Sequence, residues 1–227
     1  MPLCICSGTV KGNSVMKRRM GFYAAIGAAI CTILFCIFLI LDFFTPTESL
    51  SYMICMVLSW CYVLLVCDLC ADTLLPEQKA FAYAGLAFSV MYALFVNIVY
   101  FTQITVIRQN TISPEIIEDF RMIPGTLFFA YDMLGYAFMG LSSLFIAWIV
   151  RPKNKGDVWM KRLLAFHGIF FPLCVIMPMT GLLNSADSSD TGSLLLIGWC
   201  AFFAPIMILA ARYVGKAKKQ ATSEARV

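Results

Sequence analysis

Charged residues are scarce in this sequence, and their scarcity decides the class of protein. Only 13% of the 227 residues are charged, comprising 17 Lys or Arg and 13 Asp or Glu, whereas a soluble domain carries about 25%. The hydrophobic set reaches 61%, and the mean hydropathy is +0.83. These values exclude a soluble globular fold, and we predict an integral membrane protein.

The chain also lacks the motifs of the commonest enzymes. It has one histidine, His167, and no Walker A, HExxH or GxGxxG motif, so motor, zincin and dinucleotide chemistries have no support. We predict no cofactor and no nucleic-acid partner. No extramembrane segment is long enough for a soluble domain, so any chemistry must take place within or beside the lipid bilayer.

Six apolar stretches are long enough to cross a hydrocarbon core of about 30 Å, which requires about 20 residues per helix. We therefore predict an all-α, polytopic bundle of six transmembrane helices that forms a single domain. The predicted spans cover residues 20–43, 51–75, 80–106, 124–150, 159–183 and 192–214.

The distribution of basic residues predicts the orientation, because short cytoplasmic loops retain Lys and Arg. If the N-terminus is cytoplasmic, the inner segments hold 15 of these residues and the outer loops hold only Arg108 and Arg121. We expect both termini to be cytoplasmic in a multi-pass protein of the cell inner (cytoplasmic) membrane. The basic tail, residues 215–227, is expected to face anionic lipid.

Two connections have recognisable local signals. Ser113 and Pro114 suit the start of a helix, and Pro124 with Gly125 ends the loop, so we predict a short surface helix between the third and fourth spans. Pro172 and Pro178 interrupt backbone hydrogen bonding in the fifth span, where we expect a kink.

The stretch FFAYDMLGYAFMG, residues 128–140, places a carboxylate, Asp132, within the outer third of the fourth span. A charge within the bilayer costs at least about 2.5 kcal/mol, so it faces the bundle or water and marks a candidate site. By depth and helical rotation, we predict one polar cluster of six ligand-binding residues. It contains Asp132, Asn97, Tyr100, Gln103 and Tyr136, with Arg121 as the nearby cation.

This cluster has two interpretations. Asp132 binds a small solute or a proton at an outer-facing site, as in a permease-like or sensor protein. Alternatively, tyrosines and an amide satisfy the carboxyl, which then fastens two helices of an accessory subunit with a membrane protein partner.

A third interpretation is catalytic. Ser142, Ser143, His167 and Asp68 have similar depths near the inner side, which raises the possibility of an intramembrane serine hydrolase. Six spans with GLSS on the fourth superficially resemble the rhomboid proteases. The chain departs from that family because its histidine lies on the fifth span and the family's loop motifs are missing. We therefore favour a non-enzymatic protein.

Ten cysteines fall in the spans or on the inner side, so a framework of outer disulfides is not expected. Cys67 and Cys70 form a CxxC, and Cys4 and Cys6 lie in the N-terminal arm. These four thiols could bind zinc or exchange electrons, or act as small apolar residues.

The segments YFTQITVIR (100–108) and YDMLGYAFMGLSSLF (131–145) are similar to stretches of a family of uncharacterised multi-pass bacterial membrane proteins of unknown function. The resemblance covers about a quarter of the chain and implies a membrane location but no activity. It falls on the same two spans as the Asp132 cluster.

Overall fold

The computed structural model describes the backbone of residues 8–45, 48–71, 73, 75–109, 112–181 and 188–224, and side chains within 20–45, 49–71, 73, 75–109, 112–181 and 193–216. This part of the chain is helical, and six helical segments are long and apolar enough to cross a membrane, as predicted. They are Met20–Asp42, Ser49–Ala71, Pro76–Ile107, Leu127–Ile149, Lys155–Thr180 and Ser193–Lys216.

The helices are α1 (Gly8–Asp42), α2 (Glu48–Ala71), α3 (Pro76–Thr102), α4 (Pro114–Phe120), α5 (Leu127–Ile149), α6 (Lys155–His167), α7 (Phe170–Thr180) and α8 (Ser188–Glu224). A π-helical turn, Gln103–Ile107, extends α3. The short α4 occupies the connection between the third and fourth spans. Because α8 continues to Glu224, most of the basic tail is helical.

Side-chain caps fix where the helices of the fourth and fifth spans begin. Thr126 Oγ1 accepts a hydrogen bond of 3.4 Å from the backbone N–H of Phe129 at the start of α5. Asn154 Oδ1 accepts from the N–H groups of Gly156 and Asp157 at the start of α6. These bonds satisfy N–H groups that lack a partner in the first helical turn.

The fifth span is broken rather than kinked. α6 ends at His167 and α7 begins at Phe170. Pro172 has no N–H to donate to Gly168, and the carbonyl of Gly168 accepts instead from Phe171 at 3.1 Å. The proline therefore replaces a regular helical turn with a tighter one, within the bundle.

The spanning helices pack in a ring that follows the chain. α1 packs against α2, α2 against α3, α3 against α5, and α5 against α6 and α7, while α8 closes the ring against α1 and α6. α2 also contacts α5 across the interior. Over the described residues, α7 and α8 have few close backbone approaches and meet through the rings of Phe170 and Phe202, whose centroids are 6.3 Å apart.

Small residues allow the closest approaches in this ring, as expected between helices in lipid. A Cβ atom added to Gly140 of α5 would lie 2.8 Å from the backbone nitrogen of Phe171, at the break between α6 and α7. On its opposite face, α5 packs against α3 through the polar contacts that are described below. α5 is consequently the most buried of the six spans.

Basic residues gather at the end of the bundle where α2, α5 and α8 finish. Arg151 donates to Oε1 of Gln78 at 3.1 Å, which joins the end of α5 to the start of α3. Lys161 Nζ donates to the carbonyl of Val150 at 3.2 Å. Lys216 Nζ is 3.9 Å from Asp157 Oδ1. The cavity described next lies at the other end.

Candidate functional site

Asp132 lies in the second turn of α5, and the packing of α5 against α3 buries it to 1% exposure. Its Oδ2 accepts a hydrogen bond of 3.2 Å from the Tyr100 hydroxyl on α3. Its Oδ1 is buried and has no hydrogen-bond partner among the residues that the structure describes. A carboxyl oxygen removed from water without a partner carries a desolvation cost of about 1–3 kcal/mol, and more when charged.

A chain of hydroxyl groups leads away from the satisfied oxygen of Asp132. The Tyr100 hydroxyl has one proton and donates it to Asp132, so its 3.5 Å contact with the Tyr136 hydroxyl must use the Tyr136 proton. Tyr136 in turn lies 3.5 Å from Cys55 Sγ, which can then donate. The Tyr100 ring stacks on Tyr52, with centroids 5.0 Å apart. These contacts connect Asp132 to α3 and α2, but the series of hydroxyl groups does not neutralise the charge of the carboxyl.

The structure brings Tyr100, Asp132 and Tyr136 together, but it places the other three predicted members of the cluster elsewhere. The Asn97 amide donates to Ser59 Oγ at 3.0 Å, and its Oδ1 accepts from Trp60 Nε1 at 2.9 Å. Asn97 therefore joins α3 to α2. It forms this contact on a face of α3 adjacent to the one that carries Tyr100.

Gln103 and Arg121 are held by the chain around α4. The Gln103 amide donates to the carbonyl of Phe120 at 2.5 Å. Arg121 forms an ion pair of 3.2 Å with Glu118, in which both side chains are exposed. Neither Gln103 nor Arg121 lines the cavity beside Asp132. The cation that the sequence analysis assigned to Asp132 is instead paired on the surface.

Asp132 lines a cavity of about 520 Å³ at the end of the bundle opposite the basic residues, between α1, α2, α3, α5, α7, α8 and the turn before α5. Most of the lining is apolar, and seven of the lining residues are aromatic. Asp42, at the end of α1, is the second acid, and the described lining contains no Lys, Arg or His. Cavities of about 300–1,000 Å³ with few polar groups are the usual sites for small ligands.

A second polar cluster lies deeper in the bundle, around His167 at the end of α6. The Trp199 indole N–H donates to Nε2 of His167 at 2.9 Å, and Nδ1 of His167 lies 3.0 Å from Ser143 Oγ. Ser143 Oγ is 2.9 Å from the Tyr62 hydroxyl. Tyr62 donates to Ser142 Oγ at 3.2 Å, and Ser142 donates to the Gly85 carbonyl at 2.8 Å.

The direction of this chain follows from Trp199, because an indole N–H can only donate. Nε2 of His167 must accept, so the imidazole is neutral and carries its proton on Nδ1. That proton is donated to Ser143, and the Ser143 proton is donated to Tyr62. Each hydroxyl in the chain accepts one hydrogen bond and donates one. The cluster joins α8, α6, α5, α2 and α3.

This arrangement does not activate a serine. A general base accepts the serine proton, whereas His167 donates to Ser143. Both ring nitrogens of His167 are already bonded, to Ser143 and Trp199, so Asp68 cannot orient the ring. Asp68 lies against α1, where a Cβ atom added to Gly21 would meet its carboxyl. The structure therefore joins Ser142, Ser143 and His167 but leaves the acid out.

The cysteines predicted as metal or redox ligands are only partly described. Cys70 Sγ donates to the Ala82 carbonyl at 3.1 Å, and Cys67 is half-buried. Cys4 and Cys6 lie outside the described residues, so the four-thiol site stays a prediction. Among described residues, no group of three or more His, Cys, Asp and Glu could hold a metal ion.

Neither Tyr62 nor Trp199 was among the predicted site residues, although their hydrogen bonds join the His167 cluster to α2 and α8. The feature that could have identified Trp199 was its position within the span. Tryptophan usually lies at the membrane interface, but Trp199 lies in the interior of an apolar span, where its N–H requires a partner. Trp199 also lines the cavity and packs edge-to-face on Tyr136, with ring centroids 5.2 Å apart.

Comparison of the chain with protein-family models, curated proteins and solved structures gave no significant match in any of the three. The class of protein therefore follows from the chain itself. Its six long apolar helices are those of a multi-pass α-helical membrane protein, and it has an acidic, largely apolar cavity at one end of the bundle.

Proposed function

We propose that this chain is a permease-like or sensor membrane protein that binds a small solute in the cavity beside Asp132. One observation carries the proposal. Asp132 lines a cavity, and its Oδ1 is buried and has no hydrogen-bond partner among the described residues. A purely structural carboxyl would normally use both oxygens, because an unsatisfied one destabilises the fold. A ligand that carries a positive charge or a hydrogen-bond donor supplies the missing partner, and a proton removes the charge of the carboxyl.

The basic end of the bundle supports an outer location for the cavity. With 15 Lys and Arg at the opposite end or in the adjoining segments, the positive-inside rule places that end in the cytoplasm and the cavity on the outer side. The proposed location is the cell inner membrane. In this orientation the solute is bound from outside or from the outer leaflet.

The competing function is that of an accessory subunit, in which Asp132 fastens α5 to α3 through Tyr100. The hydrogen bond of 3.2 Å between them supports it. The two functions predict opposite effects of Asp132→Asn. A fastener should lose stability when the charge-assisted bond is weakened. A ligand site should keep its stability or gain some, because an uncompensated buried acid is removed.

Cys174 offers a direct test because its thiol lines the same cavity. Right-side-out vesicles would be treated with a cationic reagent, 2-aminoethyl methanethiosulfonate, or an anionic one, 2-sulfonatoethyl methanethiosulfonate. Mass spectrometry would then quantify labelling at each cysteine. We expect faster reaction of Cys174 with the cationic reagent. Cys55, which is fully buried and outside the lining, is the internal control and should stay unlabelled.

Asp132→Asn should reduce the preference for the cationic reagent by about fivefold, which corresponds to about 1 kcal/mol between two charges in one cavity. Melting temperature is measured on the same preparations. If Cys174 is unreactive and Asp132→Asn melts at a lower temperature than the native chain, the solute site is rejected and the accessory role stands.

A further inference from the structure

The charge of the cavity limits what it can bind. Its described lining includes two acids, Asp132 and Asp42, and no basic residue. An anionic ligand would therefore meet the like charge of Asp132, and the burial of that side chain strengthens the repulsion. A cation would find its partner in Asp132, whose Oδ1 accepts no hydrogen bond from the described part of the chain.

The lining does not suit a bare metal ion. Ca²⁺ takes six to eight oxygen ligands, and Mg²⁺ takes six with strict octahedral geometry. The described residues contain no group of three metal-binding side chains. The walls are instead rich in aromatic rings, including Tyr52, Phe170 and Trp199. Aromatic faces attract organic cations, and ammonium groups in particular.

The residues at the edge of the cavity indicate that the bound cation carries an apolar group. Leu173 on α7 and Leu194 and Leu195 on α8 line the cavity, yet they are 44%, 61% and 50% exposed. They lie on α7 and α8, which meet through the rings of Phe170 and Phe202 but have few close backbone approaches over the described residues. At this depth, exposed leucines face lipid, so the cavity has an apolar side toward the bilayer.

We infer that the cavity binds an amphiphilic organic ammonium ion, whose cationic head pairs with Asp132 between aromatic rings and whose apolar part lies against α7 and α8. The inference rests on the proposed function and specifies the substrate class of the same site. The ligand reaches the cavity from the outer leaflet, where amphiphilic amines concentrate, past the exposed leucines of α7 and α8.

Four probes in lipid nanodiscs test this class, with empty nanodiscs as the measure of partitioning into lipid. Octyltrimethylammonium carries both the cation and the tail. Octyl sulfate reverses the charge, octanol removes it, and tetramethylammonium removes the tail. We expect saturable binding of octyltrimethylammonium, and weak or no saturable binding of the other three. This comparison uses the native chain, so it does not depend on any variant folding.

Asp132→Asn should weaken octyltrimethylammonium binding by about tenfold or more, the usual effect of removing one partner of a desolvated charge pair. Asp68→Asn is the matched control, because it neutralises another buried acid that lies outside the cavity lining. It should leave the affinity unchanged. Bound octyltrimethylammonium should also protect Cys174 from the thiol reagent, which locates the ligand in the cavity.

The failures are distinguishable. If octyl sulfate or octanol binds as tightly as the cation and Asp132→Asn has no effect, the ammonium class is wrong but a solute cavity remains. If tetramethylammonium binds as tightly, the apolar part of the inference is wrong. If no probe binds saturably, the inference is overturned. Reactivity of Cys174 then decides whether the proposed function is rejected with it.

Discussion

The indole nitrogen of Trp199 donates a hydrogen bond of 2.9 Å to Nε2 of His167, and the same indole ring lines the cavity that contains Asp132. One side chain therefore belongs to both polar clusters. A solute that fills the cavity contacts the residue that fixes the tautomer of His167 and, through it, the direction of five hydrogen bonds among α8, α6, α5, α2 and α3.

Trp199→Phe should destabilise the protein by about 1–2 kcal/mol, because it leaves Nε2 of His167 buried without a donor. Thermal unfolding followed by circular dichroism in detergent measures the effect. Trp148→Phe is the matched control, since Trp148 is 60% exposed at the surface of α5 and should change stability by less than about 0.5 kcal/mol. Equal effects of the two variants would contradict the assigned role of Trp199.

Ser143 should not react with a fluorophosphonate probe, because the proton on Nδ1 of His167 is donated to Ser143 and no base accepts the serine proton. The purified protein would be incubated with the probe and analysed by mass spectrometry, with an active serine hydrolase as the positive control. Labelling of Ser143 that is lost in His167→Gln would show that the catalytic interpretation is correct.

Gly140→Ala should lower stability by about 1–3 kcal/mol, the usual cost of overpacking. The added methyl group would lie 2.8 Å from the backbone nitrogen of Phe171, which cannot move aside as a flexible side chain can. Gly198→Ala on α8 is the matched control, because a Cβ atom there has no neighbour within 4 Å among the described residues. It should be neutral or slightly stabilising, since Ala favours a helix over Gly.

If both glycine variants melt at the same temperature, α5 does not approach the broken fifth span as closely as described. Loss of stability in Gly198→Ala alone would indicate that the cavity beside Gly198 is filled, by lipid or by another part of the chain.

Much of the fold could be predicted from the sequence, because each span is a long apolar run whose limits are marked by charges and prolines. The contact between Tyr100 and Asp132 was also predictable. Depth in the bilayer follows from 1.5 Å per residue, and the small polar face of the fourth span follows from 100° per residue. Because the two spans are neighbours and run antiparallel, residues at equal depth come into contact.

The depth of a residue in the bilayer could not predict which neighbouring helix each side chain of α3 faces. Asn97 precedes Tyr100 by three residues, so it points about 60° away from the tyrosine. Its face meets α2, where Ser59 and Trp60 bind it. The π-helical turn that begins at Gln103 adds a residue to one turn and shifts the register again. No pattern in QITVI identifies such a turn.

Asn97→Leu should therefore separate architecture from binding. The substitution removes the hydrogen bonds to Ser59 and from Trp60, and we expect a loss of about 0.6–1.5 kcal/mol, in the range measured for polar contacts between spanning helices. Octyltrimethylammonium affinity should stay the same, because Asn97 does not line the cavity. Melting temperature and saturation binding are measured on one nanodisc preparation, with Asn97→Gln as the conservative comparison. A variant that keeps its melting temperature but loses affinity would return Asn97 to the ligand site and contradict its assignment to the contact between α2 and α3.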